Sequence, residues 1–219
     1  MALSKLQFNS LNVTPSASKG IRFNSGANGF EAASAGGNLT LIKTTALASA
    51  AASISFVNGA SDVVLDGTYK EYIFYINNIH PATEGDLTFN LSIDGGSNYN
   101  VTKTSTFFRA SHTEADGTPE FGYVASRDLA QSTDFQPILF VVGTDNDICG
   151  SGYLHLFDPS STTFVKHFVG STQQAKGSNE SSNAFLAGYG NTTSAVDAIQ
   201  FKMASGNIDA GSISMYGLL

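Results

Sequence analysis

From residue 39 onward, the chain is a succession of short segments in which apolar and polar residues alternate. Residues 87–93, LTFNLSI, are the clearest example, and residues 199–203, IQFKM, repeat the pattern. Because side chains in a β-strand point alternately to opposite faces, this period of two predicts strands with one buried face. Such strands are typical of antiparallel sheets that cover a core on one side.

Turn-forming sequences separate these segments, for example DGG at 94–96 and DPSS at 158–161. No segment shows a sustained helical period, although the alanine-rich residues 46–53 could form one turn of helix or a strand. The polar residues 170–183 predict a long exposed loop, and residues 113–120 predict a second, more acidic one. The predicted strands are 39–45, 53–57, 72–79, 87–93, 105–110, 138–142, 153–157, 163–169, 184–189, 198–203 and 211–216.

The strand number and the short connections predict an all-β fold, an antiparallel two-sheet sandwich of jelly-roll type over residues 39–219. Charged residues are only 13% of the chain, about half the usual share. This low charge density suits flat β surfaces that are covered by Ser, Thr, Asn and Gly. It does not suit solvated helices or networks of ion pairs.

The charge distribution argues against several classes of partner. The formal net charge is −7 and no basic cluster occurs, so the sequence predicts no binding to nucleic acid. No apolar stretch reaches membrane-spanning length and residues 1–5 do not resemble a signal peptide, so we expect synthesis in a cytosol without membrane insertion. Cys149 is the only cysteine, and we expect it to be a small, half-buried residue.

Residues 1–38 differ from the remainder because they are rich in Ser, Asn, Gly and Ala and show no sustained period. They predict an N-terminal attachment or interlocking arm with an extended conformation, in which 20–23 and 29–32 can form a small hairpin. Its apolar side chains cannot build a core alone, so they either pack on the sandwich domain or dock on another subunit. The predicted docking residues are Leu6, Phe8, Ile21, Phe23 and Phe30.

A search for reactive groups predicts a protein without catalytic residues, metal or cofactor. The four histidines lack zinc-site spacing, and Gly150-Ser151-Gly152 lacks the nucleophile-elbow pattern. Asp145 and Asp147 are the best cation ligands, but a loop of self-satisfied Asx turns is the favoured interpretation. Three tyrosines, Tyr99, Tyr123 and Tyr189, could stack on sugars, and sheet packing is the favoured interpretation of each.

Several segments resemble virion structural proteins of tailed bacteriophages of marine or cyanobacterial hosts, with a tail-fibre-like or decoration-like β module. The ending at 206–218, GNIDAGSISMYGL, resembles the close of phage receptor-binding and fibre-like domains. Residues 19–32, KGIRFNSGANGFEA, resemble a motif near fibre attachment regions. The other segments are 69–74, YKEYIF; 77–83, NNIHPAT; 98–102, NYNVT; 106–110, TFFRA; and 156–163, LFDPSSTT.

The resemblance implies a structural protein of the virion, assembled in the host cytoplasm and often trimeric. It favours a component of the tail or fibre apparatus with an exposed binding surface. Its partners would be itself, other virion proteins and a host surface receptor. The alternative is a capsid decoration or head-fibre protein that docks on the shell lattice. A glycan-degrading enzyme on a β scaffold would instead require a pair of carboxylates in a groove, which the sequence does not predict.

Overall fold

The computed structural model describes residues 19–34, 38–117 and 119–219, and within these ranges it contains strands and no helix. The all-β prediction is therefore confirmed. The chain divides into two compact units, residues 1–40 and 41–219. The strands are β1 (Lys19–Phe23), β2 (Phe30–Ser34), β3 (Leu39–Ala46), β4 (Ile54–Val57), β5 (Glu71–Pro81), β6 (Gly85–Ser92), β7 (Lys103–Thr113), β8 (Glu120–Tyr123), β9 (Gln136–Val142), β10 (Gly150–Phe157), β11 (Lys166–Lys176), β12 (Glu180–Gly190), β13 (Ala198–Met203) and β14 (Ile208–Leu218).

Two antiparallel sheets of unequal size pack as a sandwich, as the sequence predicted. The larger sheet has eight strands in the order β3-β14-β5-β10-β11-β12-β7-β8, and the smaller has four in the order β4-β13-β6-β9. Strands β10, β11 and β12 are consecutive in the chain and adjacent in the sheet. Strand β5 instead pairs with β10 and β14, which come much later in the chain.

The core between the sheets is built from the alternating apolar residues of both. Aromatic rings form its centre, because Phe74 of the larger sheet lies 5.5 Å from both Phe56 and Phe201 of the smaller one, measured between ring centroids. Phe89 packs edge-on against Phe168 at 5.2 Å. All five rings are at most 1% exposed, so the period-two residues do bury one face of each sheet.

The N-terminal unit contains a two-stranded hairpin of β1 and β2, in agreement with the predicted small hairpin. Asn24 holds its turn, since its side-chain oxygen accepts the backbone N–H of Asn28 at 3.2 Å. Phe23 and Phe30 face each other across the two strands with stacked rings 4.9 Å apart. Two of the predicted docking residues, Leu6 and Phe8, lie outside the described residues.

The prediction of an exposed loop at 170–183 was wrong. Strands β11 and β12 cover almost all of this segment and leave a tight turn at 177–179, where Asn179 has a positive φ of 55°. The alternation is hidden because the inward positions Thr172, Gln174 and Ser182 are polar although each is at most 1% exposed. Polar residues on both faces of a strand leave no hydropathy period to detect.

Two further details differ from the sequence-based expectations. Strand β8 was not predicted, since four residues at a sheet edge are too few to show a period. The alanine-rich residues 46–53 form neither a helix nor a strand beyond the end of β3, and they meet the larger sheet through an isolated bridge between Ala51 and Ile208. The search for helices that could span a membrane, made on the described residues, found none.

Strand β6 also departs from the expected pattern, because its polar face is buried. Thr88, Asn90 and Ser92 are at most 4% exposed. Loops cover this face and satisfy its polar groups; for example, the Asn90 side chain donates to the backbone oxygens of Tyr99 and Thr133. The sequence predicted that this polar face is exposed. The structure shows instead that β6 is buried on both faces.

Candidate functional site

The outer face of the larger sheet carries a continuous cross-strand row of aromatic and small side chains. These positions alternate with core residues, so their side chains point away from the smaller sheet. Pairing register places one residue from each of seven neighbouring strands in line. The row, which we call the aromatic row, consists of Ser214, Tyr75, Tyr153, Ser171, Phe185, Phe108 and Tyr123.

The aromatic side chains support one another but remain accessible to solvent. Phe108 stacks on Phe185 with ring centroids 5.1 Å apart, and Tyr75 meets Tyr216 edge-on at 5.5 Å. Even so, Tyr75, Tyr153 and Phe185 are 36–38% exposed. Accessible aromatic side chains aligned across a sheet make the row a candidate place of interaction.

Charge is scarce along this surface. The aromatic row contains no ionisable acid or base other than its tyrosines. The Tyr123 hydroxyl donates to Asp128 Oδ2 at 2.5 Å, and this hydrogen bond raises the pKa of Tyr123. Beside the row, His155 contacts Glu71 through Nδ1, and its ring lies 5.1 Å from that of Tyr153. A partner of this surface therefore has to be matched by shape and apolar contact more than by charge.

A mainly apolar depression of about 420 Å³ lies beside the row, where β8, β7 and β12 run together. Phe121 forms one wall and is 75% exposed. Gln173 and Asn183 form another; the Gln173 amide donates to Ser181 Oγ at 2.8 Å, and the Asn183 amide donates to the backbone oxygen of Thr172 at 2.8 Å. Amides beside an exposed aromatic ring can hydrogen-bond to and stack on a polar ligand such as a sugar.

Two histidines and two tyrosines that the sequence singled out lie on this surface or close to it. His155 and His167 point outward from β10 and β11, as predicted for the polar face of a strand. Tyr189 packs against His167 at 6.2 Å, and Tyr123 belongs to the aromatic row. Tyr99 lies elsewhere, in the loop over β6.

The predicted docking residues that the structure describes lie on the N-terminal hairpin. Ile21, Phe23 and Phe30 are 40–67% exposed there. Their role in docking remains a prediction, as does that of Leu6 and Phe8.

Sequence reasoning did not identify the aromatic row, because strand register is not visible in a single sequence. The signal that could have pointed to it is the presence of aromatic residues at both parities of one strand. Residues 72–75, YIFY, show this pattern. Tyr72 and Phe74 point into the core, and Tyr75 points outward.

The Asp145–Asp147 loop is exposed and held by its backbone. The backbone oxygen of Asp145 accepts the N–H of Ile148 at 2.9 Å and contacts Nε2 of His80 at 3.3 Å. Among the residues described, no group of three or more His, Cys, Asp or Glu side chains could hold a metal ion. Cys149 is half-buried, as expected, with its sulfur 3.7 Å from Oδ1 of Asn78.

The chain matches no protein-family model, and comparison with curated proteins and with solved structures finds no similar protein.

Proposed function

We propose that this chain is a non-catalytic structural protein of a tailed bacteriophage virion, a component of the tail or fibre apparatus that works as a homo-oligomer. The observation that carries the proposal is the aromatic row, which places accessible aromatic side chains across one face of the larger sheet. The phage-like segments supply the virion context, and the fold is compatible with it.

A second copy of the chain is the occupant that best fits the aromatic row. Each subunit carries a formal net charge of −7, so copies repel one another unless they meet through uncharged surface. The row is such a surface, and interface cores are generally depleted of charge and enriched in Tyr and Phe. A trimer, as the phage resemblance implies, would place three such faces around one axis.

The oligomer is tested by light scattering coupled to size exclusion at micromolar concentration. We expect a trimer for the full chain and dissociation for Phe185→Ser, which removes the aromatic ring next to the middle of the row. Thr106→Ser is the matched control, because it changes an exposed neighbour on the same face and should leave the oligomer intact. A stable monomer for the unaltered chain, or dissociation of both variants alike, would argue against the aromatic row as the interface.

The location in the particle is tested by immunogold labelling of virions of the phage that encodes the chain. Antibodies against residues 41–219 should label the tail or its fibres. A regular pattern over the shell would favour the alternative, a capsid decoration or head-fibre protein. Purified particles with no label, and with no peptide of the chain by mass spectrometry, would remove the virion proposal altogether.

The depression beside Phe121 favours an additional role in recognition of a host surface receptor. A glycan is the chemistry that its amides and exposed ring would suit. Glycan-array binding of the full chain should be lost in Phe121→Ala and retained in Phe164→Ala, where a similarly exposed phenylalanine (69%) lies outside the depression. Absence of binding to any glycan would limit the chain to a structural role.

A further inference from the structure

A buried lysine of the larger sheet and a buried asparagine of the smaller sheet contact each other. Lys103, the first residue of β7 in the larger sheet, and Asn90, in β6 of the smaller sheet, are both 0% exposed. Lys103 Nζ lies 2.5 Å from Asn90 Oδ1. Because a C=O bond is about 1.23 Å long, Nζ is no more than about 3.7 Å from the amide carbon Cγ.

From this geometry we propose that Lys103 and Asn90 become joined by an amide bond between Nζ and Cγ, formed in the folded protein with loss of ammonia. The lone pair of Nζ attacks Cγ, and the Cγ–Nδ2 bond breaks. One proton passes from Nζ to Nδ2, which leaves as ammonia. One side-chain amide replaces another, so no oxidant, reductant or activated co-reactant is needed.

The amine is prepared for attack by its surroundings. Burial lowers the pKa of Lys103 to about 7, against the opposing charge of Asp134, so above neutral pH most of the amine carries a free lone pair. One Nζ hydrogen is directed to the backbone oxygen of Val101 at 2.7 Å. A neutral amine held near an electrophilic carbon is the arrangement that lysine nucleophiles require.

Hydrogen bonds to both the oxygen and the nitrogen hold the side-chain amide of Asn90 in place. Its oxygen accepts the backbone N–H of Leu91 at 2.8 Å, a donor placed where negative charge would develop during attack. Its nitrogen donates to the backbone oxygens of Tyr99 at 2.6 Å and Thr133 at 2.9 Å, which fixes the leaving group. Holding both reactants in one orientation removes much of the entropic barrier.

The loop that contains Asp134 is hydrogen-bonded to the backbone of the reacting lysine. Ser132 and Lys103 exchange two backbone hydrogen bonds of 3.0 and 2.7 Å, so the loop cannot drift from the site. The same loop also contacts the other reactant, because the backbone oxygen of Thr133 accepts from the Asn90 amide at 2.9 Å. The product would link β6 covalently to β7 and so cross-link the two sheets.

Lys166 provides the internal control for this chemistry. It too is 0% exposed, and it flanks Gly190 from the opposite side, in register with Lys103. Its Nζ donates only to backbone oxygens, those of Ser161, Phe164 and Thr192. Within residues 19–34, 38–117 and 119–219, no side-chain amide accepts from it, so it should remain a free amine.

The experiment is intact-mass spectrometry of the purified full chain after incubation at pH 8. We expect a mass one ammonia below that calculated from the sequence, after allowance for the initiator methionine. Lys103→Met and Asn90→Ala should each show their full calculated mass, whereas Lys166→Met should still lack one ammonia. An unaltered chain at its full calculated mass would overturn the proposal. So would ammonia loss that persists in Lys103→Met, because a succinimide would then account for it.

Peptide mapping of the denatured protein locates the bond. Trypsin should fail to cut after Lys103 and release residues 71–109 as one peptide that lacks one ammonia. Further cleavage after Tyr99 should leave its two parts joined, since the bond bridges the cut between positions 90 and 103. Ordinary cleavage after Lys103, with peptides 71–103 and 104–109 at full mass, would show a lysine that only hydrogen-bonds.

Discussion

Two neighbouring rows cross the larger sheet, one residue apart along each strand, and they have opposite environments. The aromatic row faces outward. The row beside it, Met215, Phe74, Leu154, Gly170, Leu186 and Phe107, faces the smaller sheet, and its side chains are at most 2% exposed. Both rows are rich in large apolar groups. The inner row packs against the smaller sheet, whereas the outer row is accessible to solvent.

The largest expected difference concerns stability. Phe74→Ala should lower the free energy of unfolding by about 3–5 kcal/mol, because it removes a ring from the packed centre of the core. Phe185→Ala should cost less than about 1 kcal/mol in the isolated subunit, since its ring is already 36% exposed. Urea unfolding at concentrations low enough to keep subunits apart measures both. Equal losses would mean that the outer row is also part of the core.

The next largest effect on stability is expected where glycines allow close packing on the inner face of the larger sheet. A methyl group at Gly152 would lie 2.4 Å from the backbone oxygen of Ser171, whereas one at Gly122 in β8 would meet nothing within 4 Å. Gly152→Ala should therefore destabilise the fold by about 1–3 kcal/mol, as overpacking generally does. Gly122→Ala should stay within about 0.5 kcal/mol of the unaltered chain. Thermal melts of the pair give the comparison, and a harmless Gly152→Ala would contradict it.

A smaller effect is expected at one end of the inner side, where ion pairs replace apolar packing. Glu180 Oε1 lies 2.8 Å from the Arg109 guanidinium, and Glu180 Oε2 lies 3.0 Å from Lys176 Nζ. Burial raises the pKa of Glu180, but hydrogen bonds from Lys176 and Ser111 and the charges of Lys176 and Arg109 together lower it below its ordinary value. The unfolded chain then takes up a proton at higher pH than the folded one.

It follows that Glu180 stabilises the folded state when the pH is above the ordinary pKa of a glutamate. This contribution is lost as the pH falls through the lowered pKa of Glu180. Glu180→Gln should be less stable than the unaltered chain at pH 7, and the gap should close below pH 4. Melting temperatures across pH 3–7 test this. Glu114→Gln, an exposed carboxylate in the loop after β7, serves as the control and should not alter the profile.

The smallest effect on stability is expected from the N-terminal arm. Its aromatic pair, Phe23 and Phe30, is exposed like the aromatic row and unlike the inner row. Deletion of residues 1–38 should leave the melting temperature of the sandwich nearly unchanged, since residues 41–219 form a compact unit of their own. Phe8→Ala and Phe23→Ala should instead impair incorporation into particles, with Ser25→Ala in the turn as control. An unfolded deletion variant would make the arm an integral part of the domain.

The parts of the fold that sequence could predict are those where alternation is visible. Segments such as 87–93 and 199–203 showed their period because apolar residues fill every second position. The β11–β12 hairpin escaped because Thr172, Gln174 and Ser182 are polar and buried. Gln174 and Ser182 have no hydrogen-bond partners for their side chains within the described structure.

The candidate sites were less predictable than the fold, for a physical reason. The aromatic row is assembled from seven strands that are scattered through the sequence, so it exists only once register is fixed. Lys103 and Asn90 are ordinary residues in the sequence, and their meaning comes from burial and from a contact between different sheets. The low charge of the composition predicted flat β surfaces covered by Ser, Thr, Asn and Gly, and it did not point to the aromatic side chains of this row.

The strand order has a consequence for the time at which this protein can fold. Strand β14 lies between β3 and β5, so these two strands have no neighbour on that side until residues 208–218 have been synthesised. During translation, β5 also waits for β10, and its unpaired backbone could capture another nascent chain. The larger sheet therefore closes only after translation has passed β14, and such distant pairing makes folding slow. Chains terminated before residue 208 should accumulate as aggregates instead of smaller folded domains.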